Sequence, residues 1–250
     1  IRQTNALRSE NSRIVVLAKN TEGYENLIKI VSELYLGDGH LGAVCEETIF
    51  RNKSGLIVLS GGLSGHLWDL LETGHTQTAR ELASRWKNEF GDSYYIEITR
   101  TGRPNEETFV KESIEIAVEL DIPVVATNDV CFAQSADYEA HEARVCIQEG
   151  RTLNDGRRVR RYSEFQYVRS NEEMMDLFSD LPASIANAQQ IAIRCSSELK
   201  LGTYHLPRDP VPKGSSLEQL LESEAERGLL ERFANENITE HQQYQTLSLI

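Results

Sequence analysis

Four short apolar segments recur along the chain at intervals of about 30–40 residues, and helical patterns lie between them. These segments cover residues 14–18, 55–60, 94–99 and 124–127. Strands that alternate with amphipathic helices are typical of βαβ units, so the pattern predicts an α/β fold with a parallel sheet or barrel. The last segment follows Pro123 and ends at Asn128 and Asp129. A continuous apolar run of this kind is typical of a strand that is buried on both faces.

Local sequence patterns predict several helices and a linker. The first helical pattern begins after Asn20 and has apolar residues at helical spacing, which predicts a half-buried helix. The residues expected on its inner face are Tyr24, Leu27, Ile28, Val31, Leu34 and Tyr35. Beyond residue 132, Ser170 and Glu173 form a capping-box pattern, and Ser216 begins a last, charged helix. The proline-rich stretch 202–214 is the best candidate for a linker.

Composition limits the classes of protein that this chain can represent. It has 250 residues, of which 40% are hydrophobic, and a formal net charge of −13. A chain this acidic lacks the overall positive charge that is typical of a domain that binds duplex DNA by itself. No apolar run reaches the roughly 18 residues that a membrane span needs, so no span is expected. The cysteines are far apart, which favours free thiols in a reducing cytoplasm. They are Cys45, Cys131, Cys146 and Cys195.

Both ends of the sequence suggest that it continues further. It begins at Ile1, shortly before the first strand, and residues 244–250 still have a helical pattern. We therefore expect the chain to be a piece of a longer protein.

Five motifs carry a resemblance to a known family. IVVLAKN at 14–20 with GYENL at 23–27 is followed by GLIVLSGG at 55–62, YIEITRTGRPNEE at 95–107, PVVATND at 123–129 and HEAR at 141–144. Each motif is weak alone, but the order and spacing together are specific. The chain resembles the polymerase-and-histidinol-phosphatase (PHP) domain of bacterial DNA polymerase III alpha subunits, which are replicative C-family polymerases. The resemblance runs from about residue 13 to the final helix.

The resemblance implies an architecture. It predicts an incomplete, distorted (β/α)7 PHP barrel that lacks its first strands, followed by an all-helical segment that leads into the polymerase core. The implied divisions are residues 1–149 for the barrel, 150–214 for tail helices and the proline-rich linker, and 215–250 for the start of the core.

The resemblance also implies a function for the longer protein, a DNA-directed DNA polymerase. Its catalytic aspartates bind Mg²⁺ and lie outside this chain, so no catalytic residue and no cofactor are expected here. The implied partners are the proofreading 3′–5′ exonuclease subunit, the remainder of the polymerase core and holoenzyme, and primer–template DNA through the parent protein. The implied location is the cytoplasm, with no membrane partner.

Metal-bearing members of this superfamily bind metals with His, Asp and Glu and hydrolyse phosphoesters. Three histidine positions of the family map onto Arg13, Thr101 and Cys131, while Asp129 is retained and Glu97 lies on a neighbouring strand. The family's N-terminal His-x-His segment is absent from this chain. Arginine cannot ligate a metal, threonine is a weak ligand, and a cysteine binds zinc only with companion ligands. We therefore predict a residual pocket without metal, in which Arg13 pairs with Asp129.

Simpler interpretations of the same residues remain open at this point. Asp129 also suits a turn, Glu97 could face solvent, and Cys131 could be a small buried apolar residue. The first rival function is an active metal-dependent phosphoesterase, either a 3′–5′ exonuclease or a pyrophosphatase, and the ligand substitutions count against it. The second is a pure nucleic-acid-binding module, and the acidic charge counts against it. For the arginine cluster at 157–161, a solvated, charge-balancing loop is the simpler interpretation, and a contact with nucleic acid or an acidic partner is the alternative.

Overall fold

The computed structural model describes residues 12–36, 43–198, 201–204 and 210–232. The chain divides after Leu199 into two compact units. The first unit contains the sheet, and the described part of the second contains one helix. The helical pattern at 244–250 lies outside the described residues.

The predicted strands are confirmed, and helices separate them. In chain order the first unit contains β1 (Val15–Ala18), α1 (Thr21–Leu36), α2 (Glu46–Arg51), β2 (Leu56–Leu59), α3 (Trp68–Glu72), α4 (Thr76–Phe90), β3 (Tyr94–Thr99), α5 (Glu106–Glu119), β4 (Val124–Thr127), α6 (Tyr138–Glu149), α7 (Asn171–Leu177) and α8 (Pro182–Arg194). The described part of the second unit contains α9 (Leu217–Arg232). No helix in these described ranges has the length and apolar character of a bilayer span.

The sheet has the order β1-β2-β3-β4, and its first strand corrects the expectation of a fully parallel sheet. β2, β3 and β4 are parallel, whereas β1 is antiparallel to β2. Strand–helix alternation predicts which segments form a sheet but does not fix the direction of an edge strand. Here glycines allow the close approach at both ends of β2. A Cβ on Gly23 would lie 1.9 Å from the carbonyl oxygen of Gly55, and a Cβ on Gly61 would lie 2.1 Å from that of Arg13.

β3 is buried along its whole length and divides the core into two faces. Tyr94, Ile96 and Ile98 belong to the main core, which α3, α4 and α5 cover. Because side chains alternate along a strand, Tyr95, Glu97 and Thr99 point to the other face. Tyr95 packs there in a smaller cluster with Ile57, Leu59, Val125 and Ile191. This second face is apolar at the start of β3 and polar at its carboxyl end.

α8 and the residues after it cross the second face from one edge of the sheet to the other. The side-chain amide of Asn187 donates to the carbonyl oxygen of Val124 in β4 at 2.8 Å. Arg194 Nη1 lies 2.6 Å from the hydroxyl of Tyr95 in β3. The backbone N–H of Ser196 donates to the carbonyl oxygen of Lys19, just after β1, at 2.9 Å. The helix therefore ties both outer strands of the sheet together.

The rotation of α1 differs from the prediction. Its buried residues are Gly23, Asn26 and Ile30. Four residues that were expected on the inner face are exposed instead: Tyr24, Ile28, Val31 and Tyr35. Hydrophobic spacing alone did not decide between two adjacent apolar stripes on this helix. The rotation is set by the close approach of Gly23 to Gly55, and by a hydrogen bond of 3.0 Å from Asn26 Nδ2 to the carbonyl oxygen of Ser54.

Both predicted helix starts are confirmed. The backbone N–H of Glu173 donates to Ser170 Oγ at 3.2 Å, and that of Ser170 donates to Glu173 Oε2 at 2.7 Å. In the second unit, Ser216 and Gln219 exchange the same pair of hydrogen bonds at the start of α9. Each box satisfies backbone donors that a helix start otherwise leaves unpaired.

Candidate functional site

The candidate site lies at the carboxyl ends of β2, β3 and β4, and we call it the sheet-edge site. It contains Glu97, Thr101, Arg103, Glu106, Asp129 and Cys131. Arg13 reaches the same edge because β1 is antiparallel and so begins where the other strands end. Its backbone N–H donates to the carbonyl oxygen of Ser64 at 2.8 Å, and its side chain is exposed.

Glu97 is buried in β3 and joins the ends of both neighbouring strands. Its Oε2 accepts a hydrogen bond from the backbone N–H of Gly61 at 3.0 Å, and its Oε1 accepts one from Thr127 Oγ1 at 2.6 Å. Burial raises the pKa of this carboxyl, the two hydrogen bonds lower that pKa in part, and the charge of Asp129 raises it further. The interpretation that Glu97 faces solvent is therefore wrong.

Glu106, at the start of α5, organises the loop that contains Thr101. The carboxylate is buried and accepts five hydrogen bonds. The donors are Thr99 Oγ1, Thr101 Oγ1 and the backbone N–H groups of Thr101, Gly102 and Arg103, at distances of 2.6–3.3 Å. Thr101 is fully buried, and its hydroxyl also accepts from Arg103 Nε at 2.9 Å. Every polar atom of the Thr101 side chain is therefore used inside this loop.

Asp129 pairs with Arg103, which corrects the expected pair with Arg13. Arg103 Nη2 lies 2.8 Å from Asp129 Oδ2. The Arg103 side chain is largely buried, whereas that of Asp129 is half-exposed. Asp129 also has a backbone φ of 43°, a left-handed conformation that aspartate tolerates in turns. Asp129 is therefore both a turn residue and the anionic member of a cation–anion pair.

Residues 163–169, which we call the strap, cover this edge. Gln166 is fully buried, and its Nε2 donates to the carbonyl oxygen of Asp129 at 3.0 Å and to Asp129 Oδ2 at 3.1 Å. The Gln166 carbonyl oxygen accepts from the backbone N–H of Cys131 at 2.8 Å. Asn128 Nδ2 donates to the carbonyl oxygens of Phe165 and Tyr167 at 3.0 and 2.7 Å. The strap therefore satisfies the polar groups that β4 presents where it ends.

Cys131 is half-buried beneath the strap. Burial raises the pKa of its thiol, the charge of Asp129 raises that pKa further, and Arg103 and Arg144 lower it in part. A raised pKa keeps the sulfur protonated, and a thiol is a poorer metal ligand and nucleophile than a thiolate. Cys131 therefore lacks the electronic character of a reactive cysteine.

The neighbouring helix α6 contributes His141 and Glu142, which make internal contacts. The ring of His141 lies between Phe132 and Tyr162, with centroids 5.5 and 4.6 Å away. Glu142 forms a buried ion pair with Arg158. The interpretation of the arginine-rich loop as solvated is therefore wrong for Arg158, which anchors that loop to α6.

The sheet-edge residues do not fit the metal cluster that the resemblance associates with hydrolytic relatives. Both oxygens of Glu97 accept hydrogen bonds, the charge of Asp129 is balanced by Arg103, and the Thr101 hydroxyl is used. Within residues 12–36, 43–198, 201–204 and 210–232, no group of three or more His, Cys, Asp or Glu is placed to hold a metal ion. A hard divalent ion needs several free oxygen or imidazole ligands together.

Sequence reasoning missed three residues of this site: Arg103, Glu106 and Gln166. Glu106 had a signal, because an acidic residue in the first turn of a helix faces unpaired N–H groups of the preceding loop. Arg103 lies two residues beyond Thr101 in the same loop and had no separate signal. Gln166 is 37 residues from Asp129, so only the fold brings the two together.

Comparison with known families finds a similarity in the first part of the chain. Residues 3–101 match the family model of the PHP domain. This part of the chain is therefore similar to a PHP domain, and the mixed α/β fold with a four-stranded sheet is consistent with that similarity. Arg13, Glu97 and Thr101 lie within the matched residues, whereas Asp129 and Cys131 lie beyond them.

Longer proteins match nearly the whole chain. It is 42% identical over 234 residues to the DNA polymerase III subunit alpha of Escherichia coli strain K12, which is 93% of this chain and 20% of that protein. The corresponding protein of Pseudomonas fluorescens is 41% identical over 225 residues, 89% of this chain and 19% of that protein. That of Vibrio cholerae is 39% identical over 232 residues, 92% of this chain and 20% of that protein. The chain thus spans about a fifth of the length of the DNA polymerase III alpha subunits that it matches, and its residues 3–101 match the PHP domain.

Proposed function

We propose that this chain is the architectural PHP segment of a replicative DNA-directed DNA polymerase. In this proposal the longer protein adds nucleotides to a primer terminus, using Mg²⁺ bound by aspartates outside this chain. The segment itself is a stable domain that packs on the polymerase core and hydrolyses nothing. The similarity to DNA polymerase III alpha subunits supports the first part.

The observation that carries the architectural role is the internal pairing at the sheet edge. The Arg103 guanidinium lies 2.8 Å from Asp129 Oδ2, where a metal-bearing site would need a free carboxylate. Arginine brings a permanent positive charge, so it balances the carboxylate and cannot act as a ligand. Gln166 Nε2 also donates a hydrogen bond to Asp129 Oδ2, so that oxygen already has two partners. Such a site stabilises the junction of β4 with the strap rather than activating water.

The finer architecture and the partners belong to the same proposal. The four-stranded sheet would be part of a distorted (β/α)7 barrel, with residues 150–214 as its tail and linker and 215–250 as the entry to the core. The domain would also bind the proofreading exonuclease subunit, and the parent protein would bind primer–template DNA in the cytoplasm. The resemblance to replicative polymerases supports these assignments.

Metal content of the intact chain tests the architectural role. After purification and dialysis, we expect less than about one tightly held ion per chain by elemental analysis, because the donors are already paired. Incubation with Mn²⁺ or Zn²⁺ should give no hydrolysis of single-stranded DNA or pyrophosphate above that of a Glu97→Gln, Asp129→Asn double variant. Two or more tightly held Zn, Mn or Fe ions per chain would overturn the proposal. So would hydrolysis that the double variant abolishes.

The exonuclease partnership is tested separately. We expect the purified proofreading exonuclease subunit to co-elute with the intact chain in size-exclusion chromatography. Independent elution at micromolar concentrations of both proteins would refute this partnership. It would not bear on the architectural role of the sheet-edge site, which the metal analysis tests.

A further inference from the structure

Two cations meet at one serine hydroxyl, at the end of the sheet opposite the sheet-edge site. Lys19 Nζ, just after β1, and Arg194 Nη2, at the end of α8, donate to Ser93 Oγ at 3.3 and 3.0 Å. Arg194 Nη1 also donates to the hydroxyl of Tyr95 at 2.6 Å. Because β1 is antiparallel to β2, Lys19 lies where β2 begins, and Ser93 lies where β3 begins. We call Lys19, Ser93, Tyr95 and Arg194 the cationic cluster.

The positive charge of this cluster has no carboxylate partner close by. Within residues 12–36, 43–198, 201–204 and 210–232, neither Lys19 nor Arg194 forms an ion pair. Asp92 contributes its backbone carbonyl oxygen, which accepts from Arg194 Nη1 at 3.0 Å, but its side chain is 99% exposed. Glu22 and Glu198, which are also close in sequence, are exposed. Charges that are withdrawn from water are normally paired, so two half-buried cations at one hydroxyl favour an anionic ligand.

The cluster also has more hydrogen-bond donors than acceptors. Ser93 Oγ has two lone pairs, and Lys19 and Arg194 use both, so the hydroxyl proton needs a further acceptor. The Tyr95 hydroxyl likewise accepts from Arg194 and has its own proton to donate. In the part of the chain that the structure describes, neither proton has an acceptor. Ser93 and Tyr95 are 9% and 4% exposed, and a buried donor without an acceptor is costly. Ligand oxygens at this position would relieve that cost.

The thiol of Cys195 responds to the same positive charge. Burial raises the pKa of this thiol, and the charges of Arg194 and Lys19 lower that pKa in part. Both charged groups that act on the thiol are therefore cations. The positive potential of the cluster extends beyond Ser93 to the residue that follows α8.

A phosphate group matches this arrangement better than a carboxylate does. An ammonium, a guanidinium and two hydroxyl groups are available as donors, and they come from the ends of β1, β3 and α8. A tetrahedral phosphate has three or four oxygens to accept from them, whereas a carboxylate has two. Two cations also balance the charge of about −1.5 to −2 that a phosphate monoester carries at pH 7. Arginine and lysine are common phosphate ligands in proteins.

We propose that the cationic cluster is a binding site for a phosphate group, supplied either as inorganic phosphate or as the phosphate of a nucleotide. Lys19 and Arg194 balance its charge, and the hydroxyls of Ser93 and Tyr95 donate to its oxygens. The cluster lies at the opposite ends of the strands from the sheet-edge site, so the proposal does not depend on the chemistry of that site. Because the donors belong to different elements, a bound phosphate would strengthen the attachment of α8 to the sheet.

Phosphorus-31 NMR titration with the intact chain tests the proposal. The ligands are inorganic phosphate and deoxyadenosine monophosphate, and acetate is the carboxylate control. We expect saturable binding of inorganic phosphate with a dissociation constant of about 1 mM or lower, and no competition by an equal concentration of acetate. Equal affinity for the nucleotide would identify the phosphate as the whole ligand, whereas tighter binding would show that the nucleoside adds contacts.

Variants of the chain locate the site. Lys19→Met removes one charge but retains an apolar stem, and it should weaken phosphate binding at least about tenfold. Arg194→Gln should abolish binding but also loosens α8, so Lys19→Met is the decisive variant. The matched control Lys53→Met removes a lysine that pairs with Glu89 at 2.7 Å, and it should bind phosphate as the wild type does. Circular dichroism confirms that each variant is folded.

Three kinds of result would overturn the proposal. Phosphate could fail to bind, or it could bind Lys19→Met as tightly as the wild type. Acetate could bind as tightly as phosphate, which would make a carboxylate the ligand. Binding could be lost in Arg13→Gln and retained in Lys19→Met, which would place the phosphate at the sheet-edge site instead.

Discussion

Two buried glutamates lie at the same edge of the sheet and have different structural roles. Glu106 accepts all its hydrogen bonds from residues no more than seven positions away and so shapes one loop. Glu97 accepts from Thr127 and Gly61, which are 30 and 36 positions away, and so joins three strands. Glu97 also has a nearby negative charge, Asp129, and its pKa is raised. A buried carboxylate can thus serve as a local organiser or as a long-range, titratable link.

The largest loss of stability is expected from a substitution of Glu106. Glu106→Gln replaces one acceptor oxygen by an amide N–H group that faces the donors of Thr101, Gly102 and the neighbouring loop. Because several buried donors lose their acceptor together, we expect the free energy of unfolding to fall by about 3–5 kcal/mol. Urea denaturation measures this loss. Glu107→Gln is the control, since Glu107 is exposed and its pair with Arg100 should contribute no more than about 1 kcal/mol. Equal losses in the two variants would contradict the role of Glu106.

A smaller loss of stability is expected from a substitution of Gln166, which holds the strap against the sheet edge. Gln166→Ala removes the amide donor to the Asp129 carbonyl oxygen and the acceptor of the Ser163 N–H, so we expect the free energy of unfolding to fall by about 2–3 kcal/mol. Hydrogen exchange should also become faster in the strap than in β3. Gln77→Ala, on the exposed side of α4, should stay within about 0.5 kcal/mol of the wild type. An unchanged strap in Gln166→Ala would show that the other contacts hold it.

Glu97 should make stability depend on pH. Its folded-state pKa is raised above the ordinary value of 4.5, so the folded protein keeps this proton to higher pH than the unfolded chain does. The contribution is fully present below pH 4.5 and is lost as pH rises through the folded pKa. The free energy of unfolding of wild type minus Glu97→Gln should therefore fall across this window in denaturation series.

Asp129→Asn sharpens the test of Glu97. It removes one cause of the raised pKa, so the fall in stability should occur over a narrower window that ends at a lower pH. A difference between wild type and Glu97→Gln that stays constant with pH would contradict the assignment of Glu97 as the titrating group.

The smallest effect is expected at Cys131. Because burial and the charge of Asp129 raise the pKa of its thiol, alkylation by iodoacetamide at pH 7 should be slower than that of an unstructured peptide thiol. Asp129→Asn should make it faster. Mass spectrometry of digested protein measures both rates. Alkylation of Cys131 faster than the peptide thiol would indicate an activated cysteine and revive a chemical role for the edge.

The sequence predicted the elements better than their orientation. The four strands and the Ser170 capping box follow from local patterns, because apolar runs and cap residues act over a few positions. The direction of β1 and the rotation of α1 did not follow, since both depend on close contacts of Gly23 and Gly61 with distant backbone. Local spacing contains no information about such contacts.

The site was predictable to the same degree. Glu97 and Asp129 could be placed at one edge because Glu97 lies in one buried apolar strand, Asp129 follows the next, and the carboxyl ends of these strands lie together. The sequence could not predict that Arg103, rather than Arg13, is the partner of Asp129. Both arginines reach that edge, and only the loop around Glu106 directs the Arg103 side chain inward. Gln166 reaches Asp129 through the strap, for which the sequence has no periodic pattern.

The crossing of α8 over the sheet has a consequence for synthesis on the ribosome. All four strands are complete once Thr127 has been made, but Asn187 and Ser196, which clasp the outer strands, follow much later in translation. Until they leave the exit tunnel, the apolar patch around Ile57 and Tyr95 has no cover from this helix. The patch therefore stays uncovered until these residues have been synthesised. A pause in translation within this interval would prolong its exposure to chaperones and its tendency to aggregate.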